Sequence, residues 1–303
     1  MDVKQLKYLD TLVRTRSYTK AAKELFISQP SLSIAIKNFE TEVGFKLFER
    51  NIDGIVLTEQ GEELHQKSKH LINGFAYVEE EIERIKHRGV ENLKIGLIES
   101  FRRYSPLLVQ GFIKRNPKMN ITLIERNSNG VLEELLDYNI HFGITTNEVA
   151  HENIECVKLM SRTLSIVYNQ EHNFNNKKNV DIKNFEGETL IQSIRGSQLY
   201  GIVNREIAKN QINLGSTINV ESLETALELV RHNIGVALLP TPYVRNLNDE
   251  QILYFELDDY EYFKNDMNII YHKNRYLPEA VLKYIREVSE DEKWFNKKTV
   301  RNN

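Results

Sequence analysis

At 303 residues the chain is too long for one ordinary core and is expected to form two or three domains. Hydrophobic residues make up 41% and charged residues 27%, as in ordinary soluble globular proteins. The net charge of −3 argues against a nucleic-acid binder as a whole, but residues 1–50 hold nine Lys or Arg against six Asp or Glu, a mild basic bias.

No run of about 18 apolar residues occurs, so no transmembrane helix is expected. Met1-Asp2-Val3-Lys4-Gln5-Leu6 carries an early acid and no long apolar stretch, unlike a secretory signal. Cys156, the single cysteine, cannot close an internal disulfide and fits a reducing compartment. A cytoplasmic location is expected.

Leu6, Leu9, Leu12 and Val13 share one helical face and predict a first helix over 3–15. Ser17 caps a second over 18–25, where Ala21 and Ala22 leave room for another helix. After a turn at Phe26 and Ile27, Ser28 caps a third helix with Pro30 in its first turn, where a missing N–H costs nothing. Leu32, Ile36, Phe39 and Val43 are its expected buried stripe, and Gly44 ends it. Residues 47–57 read as two short strands turning at Asp53 and Gly54.

Thr58 then caps a long helix reaching about residue 88. Leu64, Leu71, Phe75, Val78, Ile82 and Ile85 keep a heptad-like spacing on it, with Ser68 as the polar break. Such a stripe predicts a helix–helix seam; packing on its own domain is the plainer alternative. Gly89 marks a domain boundary.

Beyond Asn92 strand and helix patterns alternate: strand 93–98, helix 106–115, strand 121–124, helix 131–138, strand 140–145. This rhythm predicts a mainly parallel sheet covered by helices. Two strands follow over about 154–168, then an Asn- and Lys-rich loop at 172–179 and a second helix–strand series to about 257. A strand at 267–271 and a helix at 277–288 close the pattern, and 296–303 reads as a frayed tail.

The third helix carries the strongest functional signal. Opposite its core stripe stand Pro30, Ser33, Ile34, Lys37 and Thr41, flanked by Gln29 and Ser31. In a helix-turn-helix the second helix enters the major groove and reads base edges from its N-terminal part. Gln29 suits adenine, Ser31 or Ser33 a base edge or phosphate, and Lys37 phosphate or guanine. Ile34 suits a thymine methyl, with an isolated exposed apolar side chain as the alternative. Arg50 suits a phosphate, whereas Asp53 at the hairpin tip does not. Ser17, Thr19 and Lys20, around the start of the second helix, complete the expected DNA-binding set.

Enzyme signals are weak. The eight histidines form no HExxH and no close pair with metal-ligand spacing. Cys156 lies in an apolar strand without a histidine nearby in sequence and reads as a buried thiol. Ser222 sits in Glu-Ser-Leu-Glu rather than the glycine-flanked turn of a hydrolase nucleophile. There is no phosphate loop. No catalysis, metal or cofactor is expected.

Residues 3–66 resemble the N-terminal domain of LysR-type transcriptional regulators. The matching segments are Ser17-Tyr18-Thr19-Lys20-Ala21-Ala22-Lys23-Glu24-Leu25, Ser28-Gln29-Pro30-Ser31-Leu32-Ser33, residues 40–44, Leu47-Phe48-Glu49-Arg50 and Leu57-Thr58-Glu59-Gln60-Gly61. Ile234-Gly235-Val236-Ala237-Leu238-Leu239-Pro240 is similar to the family's late strand and turn. Two positions depart: the family often has arginine where Ile34 stands and a basic residue near Asp53.

The resemblance implies an α/β chain with an all-α, winged N-terminal part: a winged helix-turn-helix DNA-binding domain at 1–58, a dimerising linker helix at 59–89, and a two-lobed domain like type II periplasmic binding proteins. Lobe I would comprise 90–161 and 267–303, and lobe II 162–266. Expected partners are double-stranded promoter DNA, a second copy of the chain in a homodimer or homotetramer, RNA polymerase, and a small-molecule effector that changes the DNA bend. No membrane is expected.

Ligands of open α/β sheets sit beyond the carboxyl ends of the strands, near helix N-termini. That places the expected effector site at Glu99, Ser100, Phe101, Asn127, Ser128, Thr145 and Thr146 of lobe I. Lobe II would add Gln192, Ser193 and Ile194, with Leu239 and Pro240 nearby. The family often has Ser or Thr touching ligand at the position of Ser100. Arg102, Arg103 and Arg195 add positive charge and point to an organic acid, with solvated surface arginines as the alternative. A solute-binding protein would need an export signal and would not need residues 1–88; a winged helix that binds protein is the remaining alternative.

Overall fold

The structure, a computed structural model, describes residues 1–51, 54–87, 92–146, 149–177, 179–195, 197–245, 247, 249–257 and 265–290. The chain divides into two compact units, Met1–Val90 with Leu136–Asn139, and Glu91–Leu135 with Ile140–Asn303.

The first unit is built on three helices whose ends are written in the sequence. α1 (Val3–Thr15) opens with a reciprocal capping box: Gln5 N–H donates to Asp2 Oδ1 and Asp2 N–H to Gln5 Oε1, both at 2.8 Å. Ser17 caps α2 (Tyr18–Glu24), and Ser28 Oγ caps α3 (Gln29–Val43) by accepting Ser31 N–H at 3.2 Å. Each such cap contributes about 1 kcal/mol. Gly44, at φ +84°, ends α3 in the left-handed conformation that glycine adopts without strain.

Leu32, Ile36 and Phe39 are buried with Leu6, Leu9, Leu12, Ala21 and Ala22. Each larger apolar side chain so buried contributes about 1.5–3 kcal/mol. Val43, on the last turn of α3, is only half-buried. β1 (Phe48–Asn51) and β2 (Gly54–Leu57) pair antiparallel, with Asn51 opposite Gly54.

α4 (Glu59–His87) starts at Thr58, whose Oγ1 accepts Gly61 N–H at 3.0 Å. A Cβ on Gly61 would lie 2.2 Å from the Leu47 carbonyl oxygen, so the helix approaches the core only because this residue has no side chain. α1 runs along α4: His65 Nε2 lies 2.9 Å from Asp10 Oδ1, and Lys7 Nζ donates to Glu79 at 3.2 Å. The expected heptad stripe is corrected at its start. Leu64 is half-buried in the domain's own core beside Phe39, Leu47 and Leu57, because β2 as well as α1 packs on this end of α4. Ser68, also on this stretch, is buried and donates to the His65 carbonyl at 2.9 Å. From Leu71 onward the stripe emerges: Leu71, Phe75, Val78, Ile82 and Ile85 are all exposed.

The second unit holds two five-stranded sheets and, in chain order, β3 (Asn92–Leu97), α5 (Ser105–Arg115), β4 (Asn120–Glu125), α6 (Ser128–Leu136), β5 (Phe142–Thr145), β6 (Ile154–Arg162) and β7 (Leu164–Asn169). These are followed by β8 (Thr189–Ser193), α7 (Gln198–Lys209), β9 (Ser216–Val220), α8 (Leu223–Arg231), β10 (Val236–Pro240), α9 (Thr241–Val244), β11 (Ile252–Glu256), β12 (Asn265–His272) and α10 (Glu279–Glu290). One sheet has the order β4-β3-β5-β12-β6 and the other β11-β7-β10-β8-β9.

Both sheets are mixed rather than mainly parallel. β3 runs parallel to β4 and β5, but β12 lies antiparallel between β5 and β6. β10 runs parallel to β8 and antiparallel to β7. The chain leaves the first sheet at the end of β6 and re-enters along β12 at that same end, Asn265 opposite Arg162, which fixes the antiparallel pairing.

Two further sequence expectations are revised. Cys156 is half-buried in β6, not a fully buried thiol. Within the stretch expected as an Asn- and Lys-rich loop, Asn173–Asn176 form a short 3-10 turn whose Phe174 is fully buried with its ring edge-on to Tyr168 at 5.7 Å.

Candidate functional site

In the first unit, α3 presents a continuous exposed polar face. Gln29, Pro30, Ser31, Ser33, Ile34, Lys37 and Thr41 are all exposed, opposite the buried Leu32, Ile36 and Phe39. The side chains of Gln29, Ser33 and Lys37 have no hydrogen-bond partner among the described residues and point outward with their donors and acceptors free. Ser31 differs, since its hydroxyl lies 2.7 Å from Ser28 Oγ and serves the cap. Ser17 likewise spends its hydroxyl on the Lys20 N–H, while Thr19 and Lys20 are exposed beside it. Ile34 is 60% exposed in the middle of this face. The Arg50 backbone pairs with Ile55, but its side chain, like the whole of Asp53, lies outside the described residues.

Phe26, in the turn before α3, is a feature that sequence reasoning passed over. It is 95% exposed and sits at φ +55°. Its N–H donates to Lys23 and that of Ile27 to Ala22, the paired bonds of a Schellman motif. The signal was present in sequence: a bulky residue stands where this turn favours glycine or asparagine.

In the second unit the carboxyl ends of the strands carry the other site. Glu99, in the 3-10 turn after β3, accepts Leu223 N–H at 2.9 and 3.0 Å and the Ser222 hydroxyl at 3.1 Å. The turn after β3 of the first sheet thus supplies an anion to the N-terminus of α8, which packs on the second sheet. The Arg103 guanidinium lies 5.0 Å from the Tyr243 ring centroid and adds a second contact between the turn after β3 and α9. Ser100 is buried and its Oγ accepts from Arg162 Nη1 at 2.9 Å. Ser128 Oγ lies 2.9 Å from Thr146 Oγ1, bringing the ends of β4 and β5 together. Thr145 is fully buried and Ser193 half-buried.

Several expected ligand contacts turn out to be engaged within the protein. The Phe101 ring is fully buried against Tyr104, so it supports the turn from inside. Gln192 donates to Asn219 at 3.2 Å and accepts from Asn204 at 2.8 Å, so both ends of its amide are held by neighbouring side chains. Pro240 is buried at the end of β10, and Asn127 Oδ1 accepts Gly130 N–H at 2.8 Å as a local cap. Arg102 is bound by both oxygens of Glu125, at 2.7 and 3.1 Å, which neutralises one of the expected positive charges. Ile194 and Arg195 are exposed. Arg162 escaped the sequence reading because it follows an apolar strand pattern and nothing local marks it as a site residue.

Residues 3–62 match the family profile described as bacterial regulatory helix-turn-helix protein, lysR family, and residues 87–292 match the LysR substrate binding domain. The chain belongs to the LysR family of transcriptional regulators. Like other members it couples a helix-turn-helix DNA-binding domain to an effector-binding α/β domain. The regulator is 25% identical over 239 residues to the HTH-type transcriptional regulator CfxR of Cupriavidus necator, covering 79% of this chain and 75% of that protein.

Among solved structures, CbnR, a LysR family transcriptional regulator, shares its fold with a TM-score of 0.73 at 20% identity, covering 96% of this chain and 100% of the other. Full-length CbnR complexed with its target DNA gives a TM-score of 0.72 at 21% identity, covering 96% and 99%. The regulatory domain of CcmR from Synechocystis PCC6803, in complex with 2-PG, matches with a TM-score of 0.58 at 15% identity, covering 66% of this chain and 98% of that one. Among the described residues no helix is long and apolar enough to cross a membrane, and no cluster of His, Cys, Asp and Glu could hold a metal ion.

Proposed function

We propose that this regulator reads promoter DNA with α3 and that a small metabolite bound between the two lobes changes how it holds or bends that DNA. The observation that carries the first part is the unencumbered face of α3, where Gln29, Ser33 and Lys37 flank an exposed Ile34. Side chains held by no protein partner on the outer face of a helix-turn-helix suit base-edge and phosphate contacts, and an apolar centre suits a thymine methyl. Ser17, Thr19, Lys20, Pro30, Ser31 and Arg50 complete the interface, the first and Ser31 chiefly as caps that hold the helices in place.

The second part is supported by Ser100, Ser128, Thr145, Thr146 and Ser193 at the carboxyl ends of strands, where open α/β sheets take ligands. The working boundaries are 1–58 for DNA binding, 59–89 for the linker helix, 90–161 with 267–303 for lobe I and 162–266 for lobe II. Leu71, Phe75, Val78, Ile82 and Ile85 form the seam by which α4 pairs with a second copy, giving a homodimer or homotetramer. The regulator works in the cytoplasm, without catalysis of its own, and contacts RNA polymerase at its promoters.

Binding-site sequencing on the native genome, with and without candidate metabolites, tests this reading. Discrete promoter sites whose occupancy or footprint length changes with one metabolite support it. Uniform, sequence-independent occupancy would remove it.

A further inference from the structure

The reading of the interlobe face as the effector site leaves open what chemistry the effector offers, and Arg162 bears on that. It is the last residue of β6, two residues before β7 begins and at the proposed boundary between the lobes, and it is only 8% exposed. Nη1 donates to Ser100 Oγ at 2.9 Å, whereas Nε is buried without a hydrogen-bond partner. No carboxylate among the described residues pairs with the guanidinium. Burial pushes its pKa down to about 10, still well above neutrality, so the group stays charged. A buried cation without a counter-charge is costly unless an anion completes it.

Register fixes where this charge stands. β12 pairs Asn265 with Arg162 on one side and Asn268 with Thr145 on the other. Arg162 therefore lies at the same end of the sheet as the carboxyl ends of β3 and β5, against Ser100.

We propose that Arg162 is the charge-recognising residue of the interlobe site and that the effector binds it as a singly charged carboxylate. Guanidinium presents two parallel N–H groups along its Nε and Nη2 edge, a spacing that fits the two oxygens of a carboxylate. Ser100 occupies Nη1 and so holds that edge in one orientation. The hydroxyl of Ser100 that meets it is neutral, and Glu99 adds a negative charge next to Ser100. Arg102 lies 3.8 Å from Glu99 and also pairs with Glu125, which leaves Arg162 as the guanidinium beside Ser100 without a carboxylate of its own. The inference rests on the proposed effector site.

Calorimetric titration of the full-length protein with acetate, pyruvate and benzoate, each beside its amide and with inorganic phosphate for comparison, tests it in the wild type, Arg162→Lys, Arg162→Met and Thr146→Val. The expected result is that at least one carboxylate binds the wild type, its amide does not, and affinity falls about tenfold or more in both Arg162 variants. In anion-free buffer Arg162→Met is expected to melt at or above the wild type, since it replaces an unpaired buried charge with an apolar chain of similar size; an arginine with a purely structural role would melt lower on that change.

No binding by any carboxylate, or preference for phosphate, overturns the proposal. Full binding by Arg162→Met with loss in Thr146→Val keeps the interlobe site and removes Arg162 from it. Binding that neither substitution touches removes the interlobe site as well.

Discussion

The Glu99 carboxylate accepts the backbone N–H of Leu223 through both oxygens, at 2.9 and 3.0 Å, and so ties the turn after β3 to the first turn of α8. The orphan N–H groups and positive end of a helix make this a favourable place for an acid. Here the acid comes from the turn after β3 of the first sheet, whereas α8 packs on the second.

Glu99→Ala is expected to lower the stability of the effector-binding unit by about 1 kcal/mol, the size of a lost helix cap. Glu99→Gln, which keeps an acceptor but loses the charge, is expected to cost about half as much. Chemical denaturation of the two variants checks both values, and equal stability in all three proteins would show that the contact carries no weight.

Placing charge in the exposed stripe of α4 is expected to separate copies of the chain. Phe75→Glu with Val78→Lys changes two side chains that are 41% and 51% exposed in the single chain, so the fold tolerates them. Light scattering is expected to show a lower oligomeric mass with unchanged circular dichroism. An unaltered mass would place the seam elsewhere.

Phe26→Gly is expected to stabilise the DNA-binding unit by about 1 kcal/mol, because the left-handed backbone at φ +55° is unstrained for glycine. The ring is 95% exposed, so its removal forfeits almost no packing. A thermal melt of the variant measures this directly. A lower melting temperature would mean that the ring is held by contacts outside the single chain.

Burial, with His151 and Arg275 adding to it, holds the His272 imidazole below the ordinary histidine range, and its Nδ1 accepts Asn274 N–H at 3.1 Å. The unfolded chain takes up a proton near pH ~6.5, where the folded chain resists it. Stability from this group is therefore full above pH ~6.5 and is lost as pH falls from there toward the lower folded value. Denaturation midpoints measured from pH ~7 down to ~5 are expected to decline less steeply in His272→Asn than in the wild type. Parallel slopes would contradict the assignment.

The DNA-binding unit was readable from sequence because its determinants are local. Ser17, Ser28 and Thr58 cap the helices that follow them, and Leu32, Ile36 and Phe39 mark the core face by spacing alone. Leu64 has the right spacing for a seam but also meets β2, a tertiary contact that no periodicity encodes.

In the effector-binding unit the positions beyond strand ends were found, but their partners were not. Gln192 is consumed by Asn204 and Asn219, and Arg102 by Glu125, pairings that span 12, 27 and 23 residues. Arg162 meets Ser100 across 62 residues. Which polar groups are spent and which remain available depends on such distant pairs, and composition and spacing carry no record of them.

The central claim is that α3 holds the DNA. Its most direct test is fluorescence anisotropy with a promoter fragment recovered from the native genome, comparing the wild type with Lys37→Ala across a range of salt concentrations. Binding is expected to weaken about tenfold to a hundredfold, with the slope of log affinity against log salt reduced by about one if Lys37 meets phosphate, and with melting temperature and oligomeric mass unchanged. Wild-type affinity in Lys37→Ala, with the same salt slope, would contradict it.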